Sequence, residues 1–517
     1  MKAQDYQISS EKFVFRSTDE KIHDKKFETK PVTYFQDALR RFAKNKASIV
    51  AAAIIALLLL FAIIAPILSP YTVSYEDRNY KYAIPRNELC VKLGLNFWDG
   101  GKTTQVNEET FFTYQAIEQE TGKKVILSDP EDIVITEEIY FGKTKKLYTF
   151  RSDTYADVGV VFYDLTAEQY EALQKYQDEN NVQIILPAID SSKSAVADQD
   201  ENNANLWYQT KIGKGRKTEI VYDADGNMVP AYKEADGTDG YTSKMYWEGE
   251  EKLYNYAIAN QTGYRVRVDY SEYYTYLHDI AGDGITKASH LFGADEYGRD
   301  IFTRLASGAR FSFILAIIVA SVNLFIGAIY GSIEGYYGGK IDLVMERIVD
   351  LLASIPFMIV ITLLKYHFNV SHIIILFISF FLTGWTGMAG RTRMQFYRFK
   401  NQEYVLVART LGAKDSRIMF KHIFPNAIGT LITSSVLVIP GVIFSETSLS
   451  YLGIINLNSG SLTSVGTLLS TGQNYLFTFP HMIVPPAIFI SLLMLSFNLF
   501  GNGLRDAFNP SLRGTED

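Results

Sequence analysis

The residues of this chain that could carry chemistry stand mostly alone. Cys90 is the only cysteine, which excludes an intrachain disulfide and a cysteine-based metal cluster. His367, His372, His481 and Glu446 each sit isolated near the end of an apolar run. An ionisable group in such a place is a functional candidate, but this spacing favours interfacial anchoring. Gly100-Gly101-Lys102-Thr103 ends like a phosphate-binding loop, yet Asn96 stands where that loop needs glycine and no apolar strand leads into it. Asp223, Asp225 and Asn227 open like a calcium loop, but the glycine arrives early at 226 and Glu234, at the twelfth position, follows Pro230. A tight turn is the better assignment there. No nucleophile elbow and no pair of metal ligands is present, so the chain reads as neither an enzyme nor a metal protein, with no cofactor of its own.

What remains is a charged stretch without catalytic character, Glu403 to Asn426. Arg409, Lys414, Arg417, Lys421 and His422 make it cationic, and long apolar runs flank it on both sides, which places it at the inner surface of a membrane. Its pattern predicts two short helices. The first covers about 403–411 and stops at Gly412, which can take the left-handed conformation. Asp415 can cap the second, and Pro425 starts the next apolar run.

The elements around it follow from hydropathy. Apolar runs of spanning length begin behind a hydrophilic leader, so the first is expected to act as a signal anchor rather than a cleaved signal. Residues 1–30 are charged and aperiodic and are expected to be loosely ordered. Phe35, Ala38, Leu39 and Phe42 recur at helical spacing among Arg40, Arg41, Lys44 and Lys46, predicting an amphipathic helix that lies on the inner leaflet or packs on other parts of the protein. Expected spans are 49–68, 311–333, a third running to about 364 with a kink at Pro356, 370–389, 428–444 bent at Pro440, and 482–500. Arg391, Arg393, Arg398 and Lys400 mark the inside after the fourth. Six spans from an inside start leave both termini inside and 70–310 outside. The organisation is then 1–47 inner segment, 48–69 first span, 70–289 outer insertion, 290–310 outer amphipathic segment, 311–510 the remaining spans with the inner loop 403–425, and 511–517 a tail.

The net charge of −7 is unevenly spread: residues 71–290 carry about −14, leaving about +7 elsewhere, as expected if the block is outside and the basic loops inside. Alternation over 124–127, 133–135 and 264–268 predicts strands, and Thr166 with Gln169 gives a capping-box signature for a helix to about Tyr176. Ser191–Ala204 reads as a flexible loop. The insertion is thus an α+β domain of roughly 200 residues. It holds 23 of the 34 tyrosines. Tyrosine favours interfaces, so it is expected to dock a binding protein or partner permease, or else to be a passive cap.

Several blocks resemble one family. His290 to Arg310, HLFGADEYGRDIFTRLASGAR, is similar to the segment before the second span of C-type permease subunits of oligopeptide and dipeptide ABC importers, with only Ala294 departing within the core of that pattern. Gly335 to Asp350, Glu446 to Gly453 and Asn498 to Ala507 follow in the same order, with Asn502 and Asn509 where the family has Asp. The 403–426 stretch resembles the family's coupling loop, keeping Gly412 and the Pro425-Asn426 ending while replacing its leading Glu and one Ala. The resemblance implies a polytopic α-helical type I ABC importer permease with six transmembrane helices, in the cell membrane of a bacterium. It implies as partners a B-type permease, two cytoplasmic ATPases that use ATP and Mg, an extracellular lipid-anchored solute-binding protein, peptide cargo and membrane lipids, with no nucleic acid. The ATPase contact would fall on Glu403, Ala408, Arg409, Gly412, Ala413, Lys414, Asp415, Arg417 and Pro425. Asp295, Gly298, Arg299, Asp300 and Glu446 are candidates at the outer face, where salt links of Arg299, Arg304 and Arg310 to Asp295, Glu296 or Asp300 are favoured. Pro356 and Pro440 are candidate bends near the pore. A permease for nickel chelate or another small solute, and a membrane-anchored receptor or adhesion protein, remain the alternatives. The large insertion departs from the family.

Overall fold

The computed structural model describes residues 34–140, 143–235, 254–457 and 462–508. The expectations for 1–30 and for the tail 511–517 lie outside them. Among the described residues five helices are long and apolar enough to cross a membrane, Lys46–Leu68, Ile301–Tyr337, His372–Phe399, Asp415–Tyr451 and Pro480–Ala507. A further pair, Gly339–Ala353 and Phe357–His367, passes the same test only jointly and is bent by 70°. Here the structure differs from the sequence expectation of one kinked span. Pro356 sits at the N-cap of the second helix with extended backbone, φ −60° and ψ 126°, so the chain leaves the first helix altogether before re-entering.

Most helices outrun the apolar stretch that predicts them. Helix α1 (Tyr34–Lys44) precedes α2 (Lys46–Leu68), whose first turn Asn45 caps by accepting from the Ser48 amide. Helix α1 packs on the chain itself: Phe42 meets Phe500 edge-to-face at 5.2 Å, and Ala38 is fully buried. Helix α3 (Ile301–Tyr337) is 37 residues, about 55 Å, well beyond hydrocarbon thickness. Hydropathy sees only its lipid-depth part. Asp300 caps it as expected, accepting from the Thr303 amide at 2.7 Å. Helix α4 (Thr386–Phe399) lies against α3 at very close range. Gly327, Gly331 and Gly335 recur every fourth residue on the contacting face; a Cβ on Gly327 would stand 2.6 Å from Met388 Cβ, one on Gly335 2.7 Å from Phe396 Cβ, and one on Gly331 would overlap the Ala389 carbonyl oxygen. The helix Asp415–Tyr451 is broken at Leu437, one turn before Pro440, which lacks the amide that would close that turn.

The insertion is α+β. Strands β1 (Gly101–Asn107), β2 (Val134–Tyr140) and β3 (Lys143–Asp153) form an antiparallel sheet in the order β1-β3-β2. Strands β4 (Val160–Leu165), β5 (Ile185–Leu186), β8 (Ile258–Ala259) and β9 (Tyr264–Asp269) form a second one centred on β9, and β6 (Thr210–Ile212) with β7 (Thr218–Ile220) makes a small hairpin. Of the expected strands, 133–135 and 264–268 are present, whereas 124–127 contributes only a single bridge, Ile126 to Ser152. The capping box of Thr166 and Gln169 is formed, on a helix that continues to Asn180. Asp223 to Asn227 is the expected turn, with the Asp223 carboxylate accepting from the Asp225 and Asn227 amides.

One expectation for the insertion fails. Ser191–Ala204 is folded, not loose: it holds a 3-10 turn and the helix Ala195–Gln199, and the Ala204 carbonyl accepts from the buried Arg267 guanidinium at 2.7 Å. Arg267 also bonds the Pro187 carbonyl and pairs with Glu120 at 2.6 Å, a fully enclosed ion pair tying β9 to the helix Glu108–Thr121. The tyrosines, in turn, are largely core. Among the described residues eleven of the 23 are buried, and Tyr71, Tyr80, Tyr155, Tyr170, Tyr256, Tyr270 and Tyr274 belong to one cluster. Their rings pack with Leu173, Ile184, Ile185, Val266 and Val268 in that interior, and the Tyr270 hydroxyl donates to the Asp77 carboxylate at 2.6 Å.

Candidate functional site

The stretch 403–426 folds as a knob. Helix α5 (Glu403–Thr410) ends in a turn at Gly412, whose φ of 80° is the left-handed conformation expected of it. The Ala413 amide donates back to the Ala408 carbonyl at 3.1 Å, closing the corner. Chain direction then reverses into Asp415–Arg417 and a π-helical turn, Ile418–Ile423, which runs without interruption into helix α6 (Phe424–Val436). The second expected helix is therefore not separate. Pro425 opens α6 as expected, and the wide π turn just before it absorbs the amide that proline cannot supply.

The knob has one buried apolar face and one exposed face of mixed character. Val405, Ile418, Met419 and Ile423 are buried against Tyr336 at the end of α3 and Phe396 on α4. Ala408 also faces inward. Ala413 is half-buried, whereas Glu403, Arg409, Lys414, Asp415 and Arg417 are exposed, together with Leu406, Val407 and Leu411. Asp415 does not cap the second helix, because Lys414 holds that position. Its carboxylate instead accepts the Tyr336 hydroxyl at 2.6 Å, and the Arg409 guanidinium lies 5.7 Å from the same ring. Tyr336 is thus the pin between the knob and the longest helix.

A second cluster, near the same end of α3, went unread in the sequence. Arg393 on α4 bonds Asp342 through two nitrogens at 2.6 and 2.9 Å, reaches Glu346 at 3.4 Å and the fully buried Glu334 at 3.5 Å. It fastens α3 and α4 to the first limb of the bent pair. Arg393 counts in the sequence only as an inside charge, since its acidic partners lie about fifty residues away.

At the other end of α3, Asp295 is the hub. One oxygen accepts the Tyr297 and Arg299 amides, and the other accepts Arg299 Nε at 2.9 Å and Arg304 Nη1 at 2.8 Å. Gly298 has φ 74°, and any side chain on it would run into the Asp77 carbonyl. Asp300 caps α3 and accepts from His290, which lies between the rings of Tyr71 and Tyr155. The favoured salt links are present for Arg299 and Arg304, whereas Arg310 is exposed and contacts Ser307. Tyr82 stacks on Phe479 at 4.5 Å, and its hydroxyl meets that of Tyr475, which donates to Glu296 at 2.9 Å. The insertion and the spans are locked together here.

Glu446 is not an interfacial anchor. It is completely buried where helices Val438–Tyr451 and α3 meet, accepting from Ser312 Oγ at 2.9 Å and Ser450 Oγ at 3.0 Å. Tertiary packing is what brings the Ser312 donor to this buried carboxyl group. His367 is exposed and His372 half-buried, bonding the Leu363 and Asn456 carbonyls respectively, and His481 is buried against the Ala294 carbonyl. Lys102, in the loop-like GGKT stretch, lies over the Phe479 ring at 3.8 Å.

Two family models match the chain. One, described as the binding-protein-dependent transport system inner membrane component, covers residues 324–514, and the other, the N-terminal TM domain of oligopeptide transport permease C, covers residues 33–85. An oligopeptide transport system permease protein of Bacillus subtilis is 42% identical over 247 residues, covering 48% of this chain and 79% of that protein. A dipeptide transport system permease protein of the same organism is 40% identical over 244 residues, with 46% and 75% covered. An oligopeptide transport system permease protein of Escherichia coli is 37% identical over 227 residues, with 44% and 74% covered.

Proposed function

This chain belongs to the C-type oligopeptide and dipeptide transport permeases, and from that premise we propose that it forms half of the translocation pathway of an ATP-driven peptide importer. The knob 403–423 supports this reading best. It presents apolar Leu406, Val407 and Leu411 beside Arg409, Lys414 and Arg417 on an exposed corner, while its other face is seated firmly on α3 and α4. A surface of that kind suits a cleft in a second protein.

In this reading the cleft belongs to one of two cytoplasmic ATPase subunits, which bind ATP and Mg. The other half of the pathway is a B-type permease, and peptide arrives from an extracellular lipid-anchored solute-binding protein. The termini and the knob are cytoplasmic, and 70–310 is extracellular. When the ATPases close, the knob is displaced as a unit, because Gly412 sets its corner and Tyr336 pins it to α3. Motion is passed up α3 and α4 as rigid bodies, held in register by Arg393. Pro356 and the break before Pro440 supply bends at which neighbouring segments can reorient. Glu446 stands at the far end of the long helix that continues from the knob and accepts from Ser312 of α3, so movement of the knob is felt where the two helices meet.

The test is disulfide or bifunctional cross-linking from Lys414→Cys in a Cys90→Ser background to co-expressed ATPase subunits. An adduct whose yield changes with nucleotide is expected. No adduct from Lys414→Cys or Arg417→Cys in any nucleotide state, with the complex folded, removes the coupling role and favours the receptor alternative. Uptake of labelled oligopeptide competed by peptide but not by nickel separates the peptide and nickel readings.

A further inference from the structure

Residues 87–98 of the insertion form an apolar finger that no part of the coupling role requires. Its base is closed by the Asn87 amide donating to the Trp98 carbonyl at 2.7 Å and the Gly100 amide to Pro85 at 3.1 Å. The Arg151 guanidinium clamps it, bonding the Asn96 carbonyl at 2.9 Å and the Asp99 carboxylate. So firm a base holds Trp98 at φ 52°, a conformation that is costly for a residue with a side chain. Beyond the base, the finger leaves Leu89, Leu93, Phe97 and Trp98 exposed by 68, 72, 58 and 44%, around the exposed Lys92. A water-facing loop gains nothing from displaying large apolar side chains in that density.

The finger's position says what covers it. Trp98 forms one wall of a groove of about 400 Å³ whose other walls are Leu57 and Phe61 of α2 and Ile488 and Leu492 of the last helix, Val484–Ala507. Both helices are membrane spans, and Leu57 and Ile488 are themselves more than half exposed, so the groove opens sideways onto the depth that lipid occupies. Its lining contains one ionisable side chain, His481, which is 9% exposed and whose Nδ1 has no hydrogen-bond partner among the described residues. A tryptophan against the flank of two spans, a lysine whose stem can lie along apolar surface, and a buried imidazole in an otherwise apolar lining are the features of a site for an amphiphile.

We propose that the finger dips into the bilayer and that the groove between α2 and the last helix holds an acyl chain of a phospholipid from the same leaflet, with Trp98 over it. The insertion is then tied to the membrane by its own residues and not only through the first and second spans. The proposal rests on the chain spanning the membrane, but not on which side the insertion faces or on the identity of the cargo.

The probe is Trp98 emission in bilayer nanodiscs, taken as the difference between the wild-type complex and Trp98→Phe, with phospholipids brominated near mid-chain as quencher. The difference signal is expected to be blue-shifted, to lose most of its intensity in brominated lipid and to be insensitive to aqueous iodide. Leu93→Glu with Phe97→Glu should restore much of the emission by lifting the finger, while the core Trp207 emission confirms that the domain is folded. Quenching by iodide instead of brominated lipid overturns the proposal in favour of a solvent loop. Protection from both quenchers overturns it as well, because the occupant is then a partner protein.

Discussion

Replacing Gly331 by alanine adds one methyl group, and the structure assigns it a cost rather than the usual gain. Alanine for glycine inside a helix ordinarily stabilises by about 0.5–1 kcal/mol, because glycine loses more conformational freedom on folding. At Gly331 the new Cβ would overlap the Ala389 carbonyl oxygen on α4, which is backbone and cannot rotate aside. The helices must part along the whole glycine face, loosening Met388 against Gly327 and Phe396 against Gly335. Overpacking of this kind costs about 1–3 kcal/mol, so the net change is destabilising by up to roughly 2.5 kcal/mol. Gly390 is the control. It lies on α4 next to Ala389, and a Cβ there meets nothing within 4 Å, so Gly390→Ala should be neutral or stabilising. The assay compares the apparent melting temperature of the purified complex, at one fixed scan rate, with initial rates of peptide uptake in proteoliposomes. Gly331→Ala should lower both, and Gly390→Ala neither. Since α4 carries Arg393 and leads into the knob, Gly331→Ala should also weaken the nucleotide-sensitive cross-link from Lys414→Cys. Indistinguishable behaviour of the two variants would refute the close contact of α3 and α4.

Two other outcomes follow from single side chains. Burial, with the charge of Asp153 adding to it, pushes the Asp157 carboxyl up to about 7, so the folded insertion binds this proton more tightly than the unfolded chain and loses stability as pH rises from about 4 to about 7. Asp157→Asn should therefore stabilise the insertion by about 1–4 kcal/mol at pH 8 and leave it unchanged at pH 4; a gain independent of pH would refute the assignment. Tyr336→Phe removes the hydroxyl that Asp415 accepts, at a stability cost of about 0.5–1.5 kcal/mol since Asp415 is exposed. Peptide uptake should fall while ATP hydrolysis by the complex persists, and a parallel loss of both would count against Tyr336 as the pin.

How far the sequence reaches depends on whether a feature is local. The first and last spans, the cap by Asp300, the corner at Gly412, the start of α6 at Pro425 and the capping box at Thr166 are all set by residues within a few positions of one another, and each is legible from type and spacing. The charge imbalance between the insertion and the rest needs only a sum along the chain. Extents of the helices were less legible, because hydropathy registers the lipid-depth part of α3 and not the turns that continue into Asp300 and Tyr336.

The remaining features are decided by partners far apart in the chain. Glu446 looks like an anchor until Ser312, 134 residues earlier, is brought against it. Tyrosine richness reads as an interface until the rings of 71, 155 and 274 are seen filling one interior, and Ser191–Ala204 reads as loose until Arg267 bonds its last carbonyl. Pro356 signals a kink from sequence, but a 70° turn requires α3 and α4 to hold the first limb through Arg393. Local pattern fixes which segments become helices and where they stop; which buried polar groups are satisfied, and by whom, is settled only when packing brings the distant donors to them.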